Sequence, residues 1–189
     1  MTIVFLTEEK SMKVMLNEIL PQILPMDIEF LILEHEGKSD LEKSIPRKLK
    51  GWKTPNTHFV VLRDNDGADC IQIKNRLVTI CSQNGRPDTL VRIVCQELEA
   101  WFIGDLAAID SADLVRNSRF KEMQGIAKFR DPDKIVNPKD KLRHLIPGYQ
   151  AVSGARSISK HLNLNQNRSA SFQTFVSGVQ QLANNAAVI

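Results

Sequence analysis

Cysteine is scarce in this chain of 189 residues: Cys70, Cys81 and Cys95 are the whole supply, an odd number with no close pair. That pattern argues against a disulfide framework and a zinc knuckle, and suits a reducing cytoplasm. The four histidines, His35, His58, His144 and His161, show no metal-ligand spacing, and structural or surface roles are expected for them. No apolar run approaches the ~20 residues of a membrane span. The opening "MTIVFLTEEK" has no basic segment before its apolar stretch and acids directly after it, so no secretory signal is expected. Phosphate-cradling glycine motifs are missing too. "GKS" at 37–39 ends like a P-loop, but the first glycine of that motif would fall on Ile32. "DNDGAD" begins like a calcium loop, yet its sixth position is Asp69 and its twelfth Asn75, which the loop geometry does not accept.

What is present is an ordinary soluble composition, 42% hydrophobic and 25% charged, with an uneven spread of charge. Residues 64–110 carry a net charge of −4, and residues 111–189 carry +7. An acidic centre followed by a basic segment suits a cation site that handles a polyanion.

The first 110 residues alternate short β-branched runs with helical patterns. "TIVFLT", "DIEFLILEH", "HFVVLRD" and "TLVRIVCQ" read as strands, the third apolar enough to be buried on both faces. Between them, "EEKSMKVMLNEILPQIL" predicts a helix capped by Ser11 and ended by Pro25. "GKSDLEKSIPRKLKGW" predicts one capped by Ser39 or Asp40 and kinked or divided at Pro46. "ADCIQIKNRLVTICSQNG" predicts one closed at Asn84–Gly85, and "ELEAWFIGDLAAI" starts another. This rhythm predicts an α/β domain with a mainly parallel sheet flanked by helices. After residue 110 the rhythm stops. "SADLVRNSRF" and "FQTFVSGVQQLANNAAVI" read as helical, with a basic, turn-rich stretch between them. The expected organisation is a core over 1–110 and a basic helical extension over 111–189 packed on it as one unit.

In a parallel sheet, ligand chemistry gathers at the carboxyl ends of the strands. Glu8 and Glu9 follow the first strand, Asp64 and Asp66 the third, and Glu97 and Glu99 the fourth. Converging carboxylates repel one another and call for a cation, and all-oxygen ligands suit Mg²⁺ or Mn²⁺. Each acid also has a plainer use. Asp can make an Asx-type turn, and Glu in a first helical turn favours the dipole. Asp69 is expected to cap the following helix, and Trp101 to belong to the core.

A Glu after the first strand and a DxD after the third resemble the Toprim signature of topoisomerases, primases and OLD-type nucleases. "IVFLTE" supplies Glu8, and "VVLRDND" supplies Asp64 and Asp66. Glu9 stands where Toprim proteins often have glycine. "HEGKSDLEKSIPRKLKGW", "FVVLRDNDGADC", "RIVCQELEAWFIGDLAAI", "KFRDPD" and "PGYQAVSGARSISKHL" resemble, in order and over nearly the whole chain, the Toprim-like prokaryotic family known as domain of unknown function 4276. Members often sit beside ATPase genes in settings suggestive of phage defence, which implies an ATPase partner.

A topoisomerase needs a nucleophilic tyrosine on a separate domain, whereas Tyr149 is the one tyrosine here. A primase needs further template-binding parts. The resemblance therefore implies a Mg²⁺-dependent nuclease acting on DNA or RNA. Glu8, Asp64 and Asp66 would hold metal, Glu97 or Glu99 would complete a second site, and Glu9 would assist. Arg156 and Lys160 are the expected cations at the scissile phosphate, ahead of Arg63 and Lys38. The other expectation is a non-catalytic Toprim-like subunit that engages an ATPase or nucleic acid.

Overall fold

A computed structural model describes residues 1–186. Its centre is a four-stranded, wholly parallel sheet in the order β2-β1-β3-β4. The strands are β1 (Thr2–Thr7), β2 (Glu29–Glu34), β3 (Thr57–Asp64) and β4 (Leu90–Val94). β1 and β3 are interior and buried on both sides, which is why their sequences run apolar without alternation.

Alternate residues of these runs build two different cores. Ile3, Phe5, Val60, Leu62 and Val94 point to one face, and Val4, Phe59, Val61 and Val91 to the other. The second face is covered by α2 (Lys38–Gly51) and α3 (Cys70–Gln83), through Leu41, Ile45, Leu49, Ile73 and Leu77. The first is covered by α1 (Lys10–Ile23), α4 (Glu99–Ile103), α5 (Leu106–Ser111), α7 (Ala151–Ile158) and α8 (Ala170–Ala186). α6 (Pro138–Leu145) packs on α4, α7 on α1, and α8 along β4. Residues 111–186 thus supply much of the cover for one face of the sheet. The helical pattern read in "FQTFVSGVQQLANNAAVI" is α8, and its last three residues lie outside the described residues.

Trp101 anchors this larger core. It is fully buried, lies against Phe172 and Phe175, and donates from Nε1 to Ser171 Oγ at 2.8 Å. Trp101→Ala removes that packing and one of the several hydrogen bonds at the Ser171 hydroxyl. We expect a loss of about 4 kcal/mol, read as a lower urea midpoint with an unchanged slope.

Several local expectations need correcting. α1 starts at Lys10 with Glu9 at its cap position, and the Ser11 hydroxyl donates to the Glu9 carboxylate instead of capping the helix. α2 starts after Gly37, whose φ of +92° takes the turn that Ser39 and Asp40 were expected to make. Pro46 is absorbed without dividing the helix. "ELEAWFIGDLAAI" is two helices, because Asp105 caps α5 by accepting from the Ala108 N–H at 3.0 Å. A side chain on Gly104 at that break would strike Asn167. "SADLVRNSRF" is not a helix. Asp110 gathers the Ser118 hydroxyl and the Phe120 and Lys121 N–H groups at 2.6–2.9 Å, and Asp113 and Asn117 turn left-handed with φ near +50°. Among the described residues no helix is long and apolar enough to cross a membrane.

Candidate metal centre

The chain leaves β1 on one side to make β2, then returns to the other side to make β3. The carboxyl ends of β1 and β3 therefore flank the topological switch point, where parallel sheets open a crevice. Glu8 stands at the first of these ends. Its Oε2 accepts from the Asp64 backbone N–H at 3.3 Å, so the two acid-bearing ends are tied directly.

Strand alternation separates Arg63 from Asp64. Arg63 shares the face of Phe59 and Val61 and reaches Glu42 on α2, which it shares with Arg76 of α3. Its Nε lies 3.8 Å from Glu8 Oε2. This chain of charges, buried at Arg63 and reaching the surface at Arg76, sets the position of Glu8 from behind. Arg63→Met would leave Glu8 and Glu42 short of their buried partner. A loss of about 3 kcal/mol is expected on urea unfolding.

Asp64 points the other way, toward α1 and α4. It is 5% exposed, and its Oδ1 has no hydrogen-bond partner. Burial pushes its carboxyl well above the ordinary range, and Glu9, Glu8, Glu99 and Asp66 push it further. Glu8 is raised as well, by burial and then by Asp66, against the pull of Arg63.

The loops after β3 and β4 are stitched together. Asn65 N–H donates to Val94 O and Asp66 N–H to Gln96 O, both at 3.0 Å, and the Asn65 amide oxygen accepts from Gln96 N–H. The seam needs left-handed backbone at Asp66 (φ +48°), Gly67 (+75°) and Gln96 (+67°). Asp66 is consequently held at the rim, where Lys38 Nζ meets its Oδ2 at 2.9 Å. Asp69 turns away to cap α3 through the Ile71 and Gln72 N–H groups.

Glu99 is the most enclosed acid, fully buried at the start of α4. Tyr149 donates its hydroxyl to Oε1 at 3.2 Å, and Oε2 has no hydrogen-bond partner. Burial raises its pKa to about 7, against the opposing pull of Lys139. Lys139 Nζ lies 4.0 Å from Glu99 Oε2 and 3.9 Å from Glu97 Oε1. Glu97 is committed to that lysine, because its Oε2 also accepts the Lys139 backbone N–H at 3.0 Å. Burial works against the lysine's charge, but Glu99, Glu9, Glu97 and Asp64 outweigh it and hold the ammonium above its ordinary pKa.

Lys139 is the cation beside these acids that the sequence does not point to. It follows Pro138 at the first turn of α6, in a segment with no strand end or motif to mark it. Arg156 and Lys160, the cations expected here, are exposed on α7 and the turn after it, and neither is among the main charges acting on Asp64 or Glu99. His35 is structural: its ring bridges Thr7 O at 2.8 Å and Ser44 Oγ at 2.5 Å.

Among the described residues, no group of three or more His, Cys, Asp or Glu side chains is placed so that it could hold a metal ion. What the site offers is a pair of buried carboxylate oxygens without a hydrogen bond, Asp64 Oδ1 and Glu99 Oε2, each in a carboxyl whose burial resists its ionisation. Carboxylate oxygens are the donors that hard divalent cations take.

The family described as Domain of unknown function (DUF4276) matches residues 7–180. The chain belongs to DUF4276. That span includes every acid of the site and Lys139. This DUF4276 chain also shares its fold with solved structures. The C-terminal region of the Burkholderia pseudomallei OLD protein aligns with a TM-score of 0.57 at 15% identity, covering 96% of this chain and 98% of that one. The C-terminal region of the Xanthomonas campestris pv. campestris OLD protein aligns at 0.51 and 15%, covering 97% and 96%. The DUF4276 architecture is thus α/β and Toprim-like, as its strand-end acids implied. No curated protein matches the sequence.

Proposed function

We propose that this protein is a metal-dependent nuclease that hydrolyses phosphodiesters of DNA or RNA, with Glu8, Asp64, Asp66 and Glu99 as ligands for Mg²⁺ or Mn²⁺. The observation that carries this reading is the pair of orphaned buried oxygens, Asp64 Oδ1 and Glu99 Oε2, at the switch point of a parallel sheet. A buried carboxylate oxygen with no hydrogen bond is costly, Lys139 reaches Glu99 Oε2 only at 4.0 Å, and a cation between these acids would remove the cost. The ion, when bound, supplies an activated water and neutralises charge on the phosphate.

The chain's own groups have distinct parts. Glu8 is positioned by Arg63 and by the Asp64 N–H. Tyr149 orients Glu99 through its hydroxyl. Lys139 keeps its proton and faces the acids, the right place for a charge that meets a scissile phosphate. Glu97 holds Lys139 by its backbone and its ammonium. The basic excess of residues 111–189 would attract the polyanion, with Arg156 and Lys160 exposed to it. An ATPase partner accords with the likeness to the C-terminal regions of OLD proteins, and a place in phage defence is proposed from the family resemblance alone.

The test is cleavage of single- and double-stranded DNA and RNA by purified protein with Mn²⁺. Lys139→Met is expected to lower cleavage at least about tenfold while Mn²⁺ affinity holds or rises, because a competing cation is gone. Undiminished cleavage would remove Lys139 from the chemistry.

One observation favours a second reading. Lys38 already pairs with Asp66, which suits a Toprim-like subunit that binds an ATPase or nucleic acid without cutting. That reading expects no Mn²⁺ binding, and unchanged biological activity after Asp64→Asn.

A further inference from the structure

We infer that Cys70 and Cys95 form a reversible thiol–disulfide site, driven by peroxide-class oxidants, that clamps the two acid-bearing loops together. Cys70 is the first residue of α3, directly after the loop that follows Asp64 and carries Asp66. Cys95 directly follows β4, two residues before Glu97. The two come from positions 25 residues apart, yet their sulfurs lie 3.6 Å from each other, and both thiols are free. A disulfide needs an S–S separation of about 2.05 Å, so the sulfurs have only about 1.5 Å to close.

Access is provided. Both cysteines are half-buried and line a groove of about 290 Å³ between α3, β4 and the start of α8, with Ile71, Ile93 and Thr174 among its walls. Cys81, by contrast, is buried in the core beneath α3. The site is also mechanically placed. It borders the seam in which Asn65 and Asp66 donate to Val94 O and Gln96 O, so a covalent bond there reinforces contacts the loops already make.

The chemistry balances. One thiol attacks the peroxide, its sulfur becoming a sulfenic acid as the O–O bond breaks and water leaves. The second thiol then displaces the hydroxyl, forming the S–S bond and releasing a second water. Two electrons pass from the two sulfurs to the peroxide. An added dithiol restores both cysteines by exchange.

The inference stands apart from the metal reading, because its test needs no metal. Full-length protein is treated with hydrogen peroxide and its disulfides are mapped by mass spectrometry. An intramolecular Cys70–Cys95 link is expected, with a melting temperature raised by about 5 °C and restored by dithiothreitol. Cys70→Ser and Cys95→Ser should each lose the link and the shift, and Cys81→Ala should keep both. A link only between molecules, overoxidation without a link, or the same shift in Cys70→Ser would overturn it.

Discussion

Asp64→Asn is expected to abolish Mn²⁺ binding and metal-dependent cleavage, yet to make the metal-free protein more stable. The two effects have one cause. Asp64 is buried, its Oδ1 lacks a partner, and four other carboxylates act on it. Asparagine keeps the shape and removes the charge, so the repulsion goes while packing stays. The same change deletes a ligand. Losing even an outer partner of a metal site costs ~10–100-fold in affinity, so the loss of Asp64 should exceed about a hundredfold. Isothermal titration reads the first effect and urea unfolding the second. A variant that lost activity and stability together would mark Asp64 as a structural turn residue, with no part in metal binding.

The stability of the metal-free protein should fall as pH rises from about 4.5 to about 7, and added Mn²⁺ should abolish most of that fall. Glu99 is central to this. Its pKa is raised from 4.5 in the unfolded chain to about 7 in the folded one. Below the lower value both states hold the proton and nothing depends on pH. Between the two, the unfolded chain has released a proton that the folded protein keeps, so rising pH favours unfolding. Above about 7 both are ionised and the full penalty applies, about 3 kcal/mol for this shift. Asp64 and Glu8, also raised, add in the same direction. Glu99→Gln should flatten the profile and stabilise the metal-free protein near pH 8. Denaturant melts across pH with and without Mn²⁺ test this. A profile that rises through the same window would mean that the acids are already satisfied by protein cations.

The sheet was legible because β1 and β3 are interior strands, and burial on both faces leaves a plain apolar run in the sequence. Their carboxyl ends then located Glu8 and Asp64. What the pattern hid was direction. A run without alternation does not tell which face each residue takes, so it did not show that Arg63 backs onto Glu42 while Asp64 faces Glu99. Lys139 was hidden for a different reason. It enters the site from a helix of the extension, through a Glu97–backbone bond between residues 42 positions apart, and local sequence carries no record of such a contact. Arg156 and Lys160 stood in a richer motif, but motif density does not measure nearness. Ser11 and Asp40 failed as caps because Glu9 and the left-handed Gly37 stand at those helix starts.

The most direct test of the account is isothermal titration of the metal-free protein with Mn²⁺, run beside Asp64→Asn and Glu99→Gln. The account expects saturable binding by the wild type that is lost in both variants. A flat wild-type isotherm, or equal binding by all three proteins, would contradict it.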